Sequence, residues 1–178
     1  MDTELTTERL MLRRARPSDL DAFHALVSDF AVVRNTGTWP FPADRDFTAT
    51  RCAPLEPARG MAGPVFHQGE LVGWIGLSVK DARPELGYMF ARAHWGRGFA
   101  TEIGGALIAH AWATHDWAVI DACTFSDNPG SARVLEKLGF TEGPACEGDC
   151  KARGGRFATR TFTLTRPQRF SPANPPAP

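Results

Sequence analysis

The chain has little of what marks a secreted, membrane-bound or metal-held protein. Only four cysteines occur in 178 residues, at positions 52, 123, 146 and 150. They are too few and too scattered for a disulfide framework. No His-x-x-x-His pair accompanies Cys146 and Cys150, so no metal site is expected. Cys123 lies in an apolar run and reads as a small buried hydrophobe. No apolar stretch approaches the ~20 residues of a membrane span, and the first residues lack the apolar core of a signal peptide. A cytoplasmic location is expected, with no membrane partner. An excess of one charge is also lacking: 20 Lys and Arg stand against 20 Asp and Glu. That argues against direct nucleic-acid binding. There is one tyrosine, Tyr88.

What is present is an ordinary globular composition, 43% hydrophobic and 22% charged, in a chain long enough for a sizeable core. Residues 1–170 read as one domain. Residues 171–178, with four prolines, read as a flexible tail. Residues 5–14 alternate apolar and charged and suit a first strand. Pro17-Ser18-Asp19 starts a helix, with Ser18 as its cap, and Leu20, Phe23, Val27 and Phe30 recur at helical spacing. A loop at 36–43 precedes a second helix from about Asp44 to Cys52. Gln68-Gly69-Glu70 turns a hairpin, and Leu86 to Phe90 is the next strand. A helix follows from about Ala100 to His115. Its Gly104 and Gly105 weaken it unless it packs closely on a sheet. A strand at Val119–Phe125, a short helix ending at Leu138 and a final hairpin around Arg153-Gly154-Gly155 complete the order β-α-α-β-β-β-α-β-α-β-β, a mixed α/β layer fold.

The most informative segment is His94-Trp95-Gly96-Arg97-Gly98-Phe99-Ala100-Thr101-Glu102-Ile103, a glycine turn that opens a helix. The first N–H groups of a helix lack partners within it, and the macrodipole adds partial positive charge, so such a turn suits an anion. It is not a Walker loop, because the Gly-Lys-Ser/Thr is missing. It is not a complete dinucleotide fingerprint, because Thr101 stands where the third glycine belongs. On this segment alone, a phosphate cradle and a plain helix-opening turn are both open.

Further along stands Asn128-Pro129-Gly130-Ser131-Ala132-Arg133-Val134-Leu135-Glu136-Lys137-Leu138-Gly139-Phe140. Near the start stands Thr7-Glu8-Arg9-Leu10-Met11-Leu12-Arg13-Arg14, and before the glycine turn Glu85-Leu86-Gly87-Tyr88. In this order and spacing, over roughly Thr7 to Arg166, the segments resemble the GNAT superfamily of acyl-CoA-dependent N-acyltransferases. The match is to the branch of RimJ/RimL-type N-terminal acetyltransferases. The resemblance implies a mainly antiparallel central sheet with helices on both faces. It also implies acetyl-CoA as cosubstrate and a primary amine as acceptor, either a protein N-terminus or a small molecule. The active form would be a monomer or homodimer.

Carried onto this chain, the resemblance assigns coenzyme A binding to Trp95, Gly96, Arg97, Gly98, Phe99, Ala100 and Thr101. Arg97 would add charge at the rim or be a solvated loop residue. Trp95 replaces the Gln or Arg usual at that position. Met89 and Phe90 are the candidates for main-chain bonds to the pantetheine arm, as an added pseudo-strand. Asn128 would bond pantetheine or cap its helix. Many members carry a Tyr acid where this chain has Leu135, so Ser131 is the polar group left to hydrogen-bond the departing thiolate. Glu85 is the general-base candidate, acting through a water, with Asp127 able to orient the amine. His67 and His94 read as solvated, and Glu102, Glu136 and Lys137 as helix-face charges. Two other classes stay open: a CoA-binding or regulatory module without turnover, which the missing Tyr favours, and a nucleotide- or phosphosugar-binding protein, which leaves residues 128–140 unexplained.

Overall fold

A computed structural model of the chain describes residues 3–80 and 83–167. Its strands are β1 (Glu4–Thr6), β2 (Met11–Arg13), β3 (Gly60–His67), β4 (Glu70–Lys80), β5 (Arg83–Phe90), β6 (Val119–Phe125), β7 (Thr141–Glu142), β8 (Cys146–Cys150) and β9 (Gly155–Thr165). They form one nine-stranded sheet in the order β1-β2-β3-β4-β5-β6-β9-β7, with β8 also paired to β9. The helices are α1 (Leu20–Val27), α2 (Phe30–Val33), α3 (Arg45–Arg51), α4 (Phe99–Thr114) and α5 (Pro129–Lys137). The only parallel pair among the described strands is β5–β6. A parallel pair needs a long crossover, and α4 supplies it.

The sheet carries helices on both faces, and each face has its own apolar cluster. Ile75, Leu77, Leu86 and Phe90 meet Ile103, Leu107 and Ala111 of α4 and Leu135 of α5. On the opposite face Trp74 meets Phe23 and Val27 of α1 and Val33 of α2. The Phe23 and Trp74 rings stack there, 3.6 Å apart. Gly104 packs closely, but more tightly on the end of α5 than on the sheet: a Cβ at that position would lie 3.1 Å from Leu138 Cδ1 and 3.8 Å from Ile75 Cδ1. Among the described residues no helix is long and apolar enough to cross a membrane.

Four local expectations are corrected. Residues 5–14 are not one strand but a hairpin of β1 and β2, pairing Thr6 with Met11. Thr7 closes the turn: its N–H reaches the Leu10 carbonyl at 2.9 Å, and its hydroxyl accepts from Leu10 N–H at 3.2 Å. Leu10 and Leu12 are buried as the alternation required. The first helix stops at Val27 because Asp29 caps a new one, accepting from Ala31 N–H at 2.9 Å. Phe30 thus leaves the core and is 40% exposed. Asp19, not Ser18, closes the earlier turn by accepting from Arg16 N–H at 2.8 Å. Cys123 is exposed, because on β6 the core-facing positions are Ile120, Ala122 and Thr124. The segment 171–178 lies outside the described residues.

Candidate active site

The site begins with a defect in the sheet. β6 pairs with β9 at seven successive positions from Val119–Thr165 to Phe125–Thr159. Its pairing with β5 is a single bridge, Glu85–Asp121. Past that bridge the two strands part, and a gap opens toward their carboxyl ends. In open α/β sheets this is where ligands sit. Antiparallel pairs alternate between those that exchange main-chain bonds and those that do not. The bond from Ala91 N–H to Val72 C=O, 3.0 Å, sets that phase. Trp74–Met89 becomes a bonded pair and Gly73–Phe90 a non-bonded one. Met89 therefore commits its main chain to β4, while Tyr88 and Phe90 turn theirs toward the gap. Met89, expected to offer its main chain to a ligand, thus offers it to β4. Of Phe90's two groups, the carbonyl accepts the Trp95 indole N–H at 2.7 Å.

At the end of β5 the chain turns through Trp95–Gly98, all exposed, and opens α4. Gly96 and Gly98 have φ of 73° and 78°, where a side chain is strained. Gly98 is the N-cap of α4 and has no side chain to cap it. The helix ladder starts with Glu102 N–H on Gly98 C=O, 3.0 Å. The N–H groups of Phe99, Ala100 and Thr101 lie ahead of it, at the positive end of a sixteen-residue helix. A Cβ at Gly96 would meet nothing within 4 Å, and one at Gly98 only Arg9 Nη2, 3.6 Å away. The space over the turn is open for a ligand.

Glu102 is not the helix-face charge it resembles in sequence. Its carboxylate accepts from Thr7 Oγ1 at 2.6 Å, Arg9 N–H at 3.0 Å and Arg9 Nε at 2.7 Å. Arg9 Nη1 also donates to the Arg97 carbonyl at 3.1 Å. The Arg9 and Arg97 guanidiniums both lie over the buried Phe99 ring, at 5.0 and 4.7 Å. The β1–β2 turn is thus a brace on the glycine turn, and Arg9 offsets a carboxylate in the first turn of α4. Partial burial pushes the Glu102 carboxyl up, but the hydrogen bonds from Thr7 and Arg9 outweigh it and hold it below the usual range. The helix N-terminus was a hint, since carboxylates are favoured there; the partner 93 residues away was not visible in sequence. His94 accepts from Arg97 at 3.1 Å, and His67 donates to the Arg9 carbonyl at 3.0 Å. Both histidines support the turn from outside the gap.

Across the gap, β6 leads into α5. Asn128 caps that helix by accepting from Ser131 N–H at 3.3 Å. Its amide nitrogen keeps its protons for another acceptor, so capping and ligand contact are compatible. Leu135 is buried in the core. Ser131 is half-buried and bonded to Tyr88: the phenolic oxygen lies 2.8 Å from Ser131 Oγ and 3.1 Å from the Ser131 carbonyl oxygen. Burial pushes the Tyr88 phenol up to about 12, against the opposing effect of the Ser131 bond.

Glu85 sits at the bridge where the gap closes, half-buried, with Cys123 Sγ 4.0 Å from its Oε1. Strand alternation points Glu85 to the opposite face of β5 from Tyr88. Asp127 is held in place rather than loose. It accepts from Arg34 at 3.3 Å and from Arg153 at 2.7 Å. Arg153 is itself wedged between the Phe125 and Phe157 rings, 4.3 and 3.9 Å from their centroids. Phe30 and Phe41 form an exposed aromatic pair beyond Arg34, with centroids 5.1 Å apart. This cluster draws on four separate segments; sequence reasoning pointed to Asp127, to the loop around Trp39-Pro40-Phe41 and to the final hairpin as shaping the acceptor end, but not to Arg34.

Comparison with known proteins agrees with this geometry. Residues 9–141, more than half of the chain, match the acetyltransferase (GNAT) domain family. The uncharacterized N-acetyltransferase YoaA of Bacillus subtilis is 28% identical over 172 residues, 92% of this chain and 97% of that protein. Among solved structures, the ribosomal-protein-S5-alanine acetyltransferase of Vibrio fischeri superposes with a TM-score of 0.80 at 15% identity, covering 96% of this chain and 100% of that one. RimL, a ribosomal L7/L12 alpha-N-protein acetyltransferase solved with coenzyme A, superposes at 0.78 with 18% identity over 92% and 98%. With its strand gap, its uncapped helix and this family match, the chain belongs to the GNAT acetyltransferases.

Proposed function

We propose that the protein transfers an acetyl group from acetyl-CoA to a primary amine, by direct attack within a ternary complex. The carrying observation is the β5–β6 gap, which runs from the open amides of Phe99–Thr101 to the Asn128–Ser131 corner. Main-chain N–H groups of Gly96 to Thr101 suit the pyrophosphate, with Arg97 at the rim; the Trp95 N–H is taken by the Arg92 carbonyl at 3.1 Å. Tyr88 and Phe90 would bond the pantetheine arm along β5, and Asn128 from across the gap. Holding amine and thioester together does most of the work, with backbone N–H groups polarising the carbonyl.

Glu85 lies three residues from Tyr88 along β5, roughly 10 Å at strand rise. It therefore serves as base through a water. The amine nitrogen bonds to the acyl carbon, the carbon–sulfur bond breaks, and the amine proton leaves toward Glu85. The sulfur departs as thiolate, hydrogen-bonded by Ser131. At pH 7 about a tenth of an α-amine is neutral but under ~0.1% of a lysine amine. A base acting at a distance thus favours an α-amine. The names of RimL and of the S5-alanine enzyme support a peptide N-terminus. A small-molecule amine is the other acceptor class.

The buried Leu135 in the usual Tyr position favours one second reading, a CoA-binding module without turnover. Thioester consumption across peptides, polyamines and amino acids separates the two. Acetylated peptide α-amine is the expected product. CoA binding with no thioester loss to any amine would establish the second reading. Glu85→Gln is expected to lower kcat ~10²–10⁴-fold with CoA affinity unchanged; an unaltered pH–rate profile would take the base role from Glu85.

A further inference from the structure

The chain's one tyrosine has no part in the chemistry so far, yet it holds the hydroxyl assigned to the leaving sulfur. Its phenol has a single proton and two oxygens of Ser131 within reach, the carbonyl at 3.1 Å and the hydroxyl at 2.8 Å. One proton cannot serve both well, so two arrangements compete. In the first, the phenol donates to the carbonyl and accepts the Ser131 hydroxyl proton, which turns the serine inward. In the second, the phenol donates to Ser131 Oγ, and the serine proton is released to another acceptor. Without a ligand the first uses both protons. An anionic sulfur beside Ser131 favours the second, because a phenol–serine–sulfur chain polarises each link.

We propose that Tyr88 is a positioning residue for Ser131, switching its phenolic proton from the Ser131 carbonyl to the Ser131 hydroxyl as negative charge develops on the leaving sulfur, so that the serine proton points at that sulfur. This rests on the acetyl-transfer reading and on Ser131 facing the thioester. Tyr88 transfers no proton. Its O–H bond stays intact throughout, and burial keeps the phenol protonated across the working pH range. The acyl carbon–sulfur bond breaks to thiolate, and water later protonates the sulfur. The device supplies from β5 a hydrogen bond to the sulfur, where a Tyr acid in place of Leu135 would supply a proton from α5.

The single tyrosine makes the test direct. Protein labelled with ¹³C at tyrosine Cζ gives one resonance, and it is Tyr88. Saturating CoA, at a pH where its thiol is ionised, is expected to shift it further than desulfo-CoA, which offers the same phosphates and pantetheine arm without the sulfur. In Ser131→Ala the difference between the two ligands should vanish. Equal shifts from both ligands in the wild type would overturn the proposal. In kinetics, Tyr88→Phe keeps the ring and loses the hydroxyl. It is expected to lower kcat about tenfold, the value of one hydrogen bond, with KM for acetyl-CoA unchanged. Tyr88→Phe/Ser131→Ala should be no slower than Ser131→Ala alone, and additive losses would count against the switch. Full kcat in Ser131→Ala would remove the serine role and the switch with it. A slow Ser131→Ala beside a fully active Tyr88→Phe would remove the switch alone. Should Tyr88→Phe fail to fold, the resonance of the wild type and of Ser131→Ala decides.

Discussion

The two ends of the β5–β6 gap are built in different ways. At the proposed phosphate end, one contiguous segment would provide the contacts, through main-chain amides. At the proposed acceptor end, side chains from α2, the 36–43 loop, the β6–α5 corner and the β8–β9 turn meet, joined through Asp127 and Arg153. An amide cradle binds any phosphate of the right shape and depends on backbone angles. The side-chain cluster depends on which residues each loop carries. The first end suits a ligand common to a family, and the second suits recognition particular to one protein.

That contrast can be broken at either end. The largest effect is expected from Gly98→Val. A β-branched residue at a φ of 78° is strained, and its side chain stands where phosphates would lie. Calorimetry should show CoA affinity falling on the order of a hundredfold while the fold, by circular dichroism, persists. Binding of wild-type strength would dissolve the cradle.

Asp127→Asn should leave CoA binding alone and raise KM for the amine. It also removes the carboxylate that Arg34 and Arg153 share, and Arg153 is only 9% exposed. A loss of about 1–3 kcal/mol in denaturant unfolding is expected. If CoA affinity falls in step with the acceptor KM, the two ends are one unit and the contrast fails.

The smallest effect sharpens the contrast through pH. Because the Glu102 carboxyl sits below its usual range in the folded protein, its contribution to stability is complete above the ordinary value of 4.5 and is lost as pH falls through the lowered one. Glu102→Gln should flatten that acid limb in thermal melts and weaken CoA binding by less than tenfold, since the amides remain. A melting curve with the wild-type acid slope would show that the brace does not titrate.

Much of the fold was legible because periodicity, glycine and proline act locally. The Gln68-Gly69 hairpin, the α4 face of Ile103, Leu107 and Ala111, and the Asn128 cap all followed from neighbours in sequence. The failures share a cause. The alternation of Leu10 and Leu12 does not reach back to Leu5, which stands in the other phase, and the polar run at 6–9 between them is the turn that a single strand over 5–14 passes over. Cys123 occupies an outward strand position in an apolar run, where composition suggested burial. The Trp95–Thr101 turn could be read in sequence, but the choice of Tyr88 over Met89 depended on the phase of the β4–β5 ladder. Glu102, Arg153 and the Tyr88–Ser131 pair act through partners from distant segments, and no local pattern announces them.

The brace on the glycine turn also sets an order of events. Arg9 and Glu102 are separated by 93 residues, so the β1–β2 turn cannot grip α4 until synthesis has passed the middle of the chain. Closing so large a loop is costly and slow relative to forming a helix. During synthesis, a ribosome stalled before residue 102 would hold a first hairpin with no carboxylate to receive Arg9. The glycine turn then becomes rigid in one event, when the β1–β2 turn and the start of α4 meet, so the capacity to grip phosphate should not precede the synthesis of the central part of the chain.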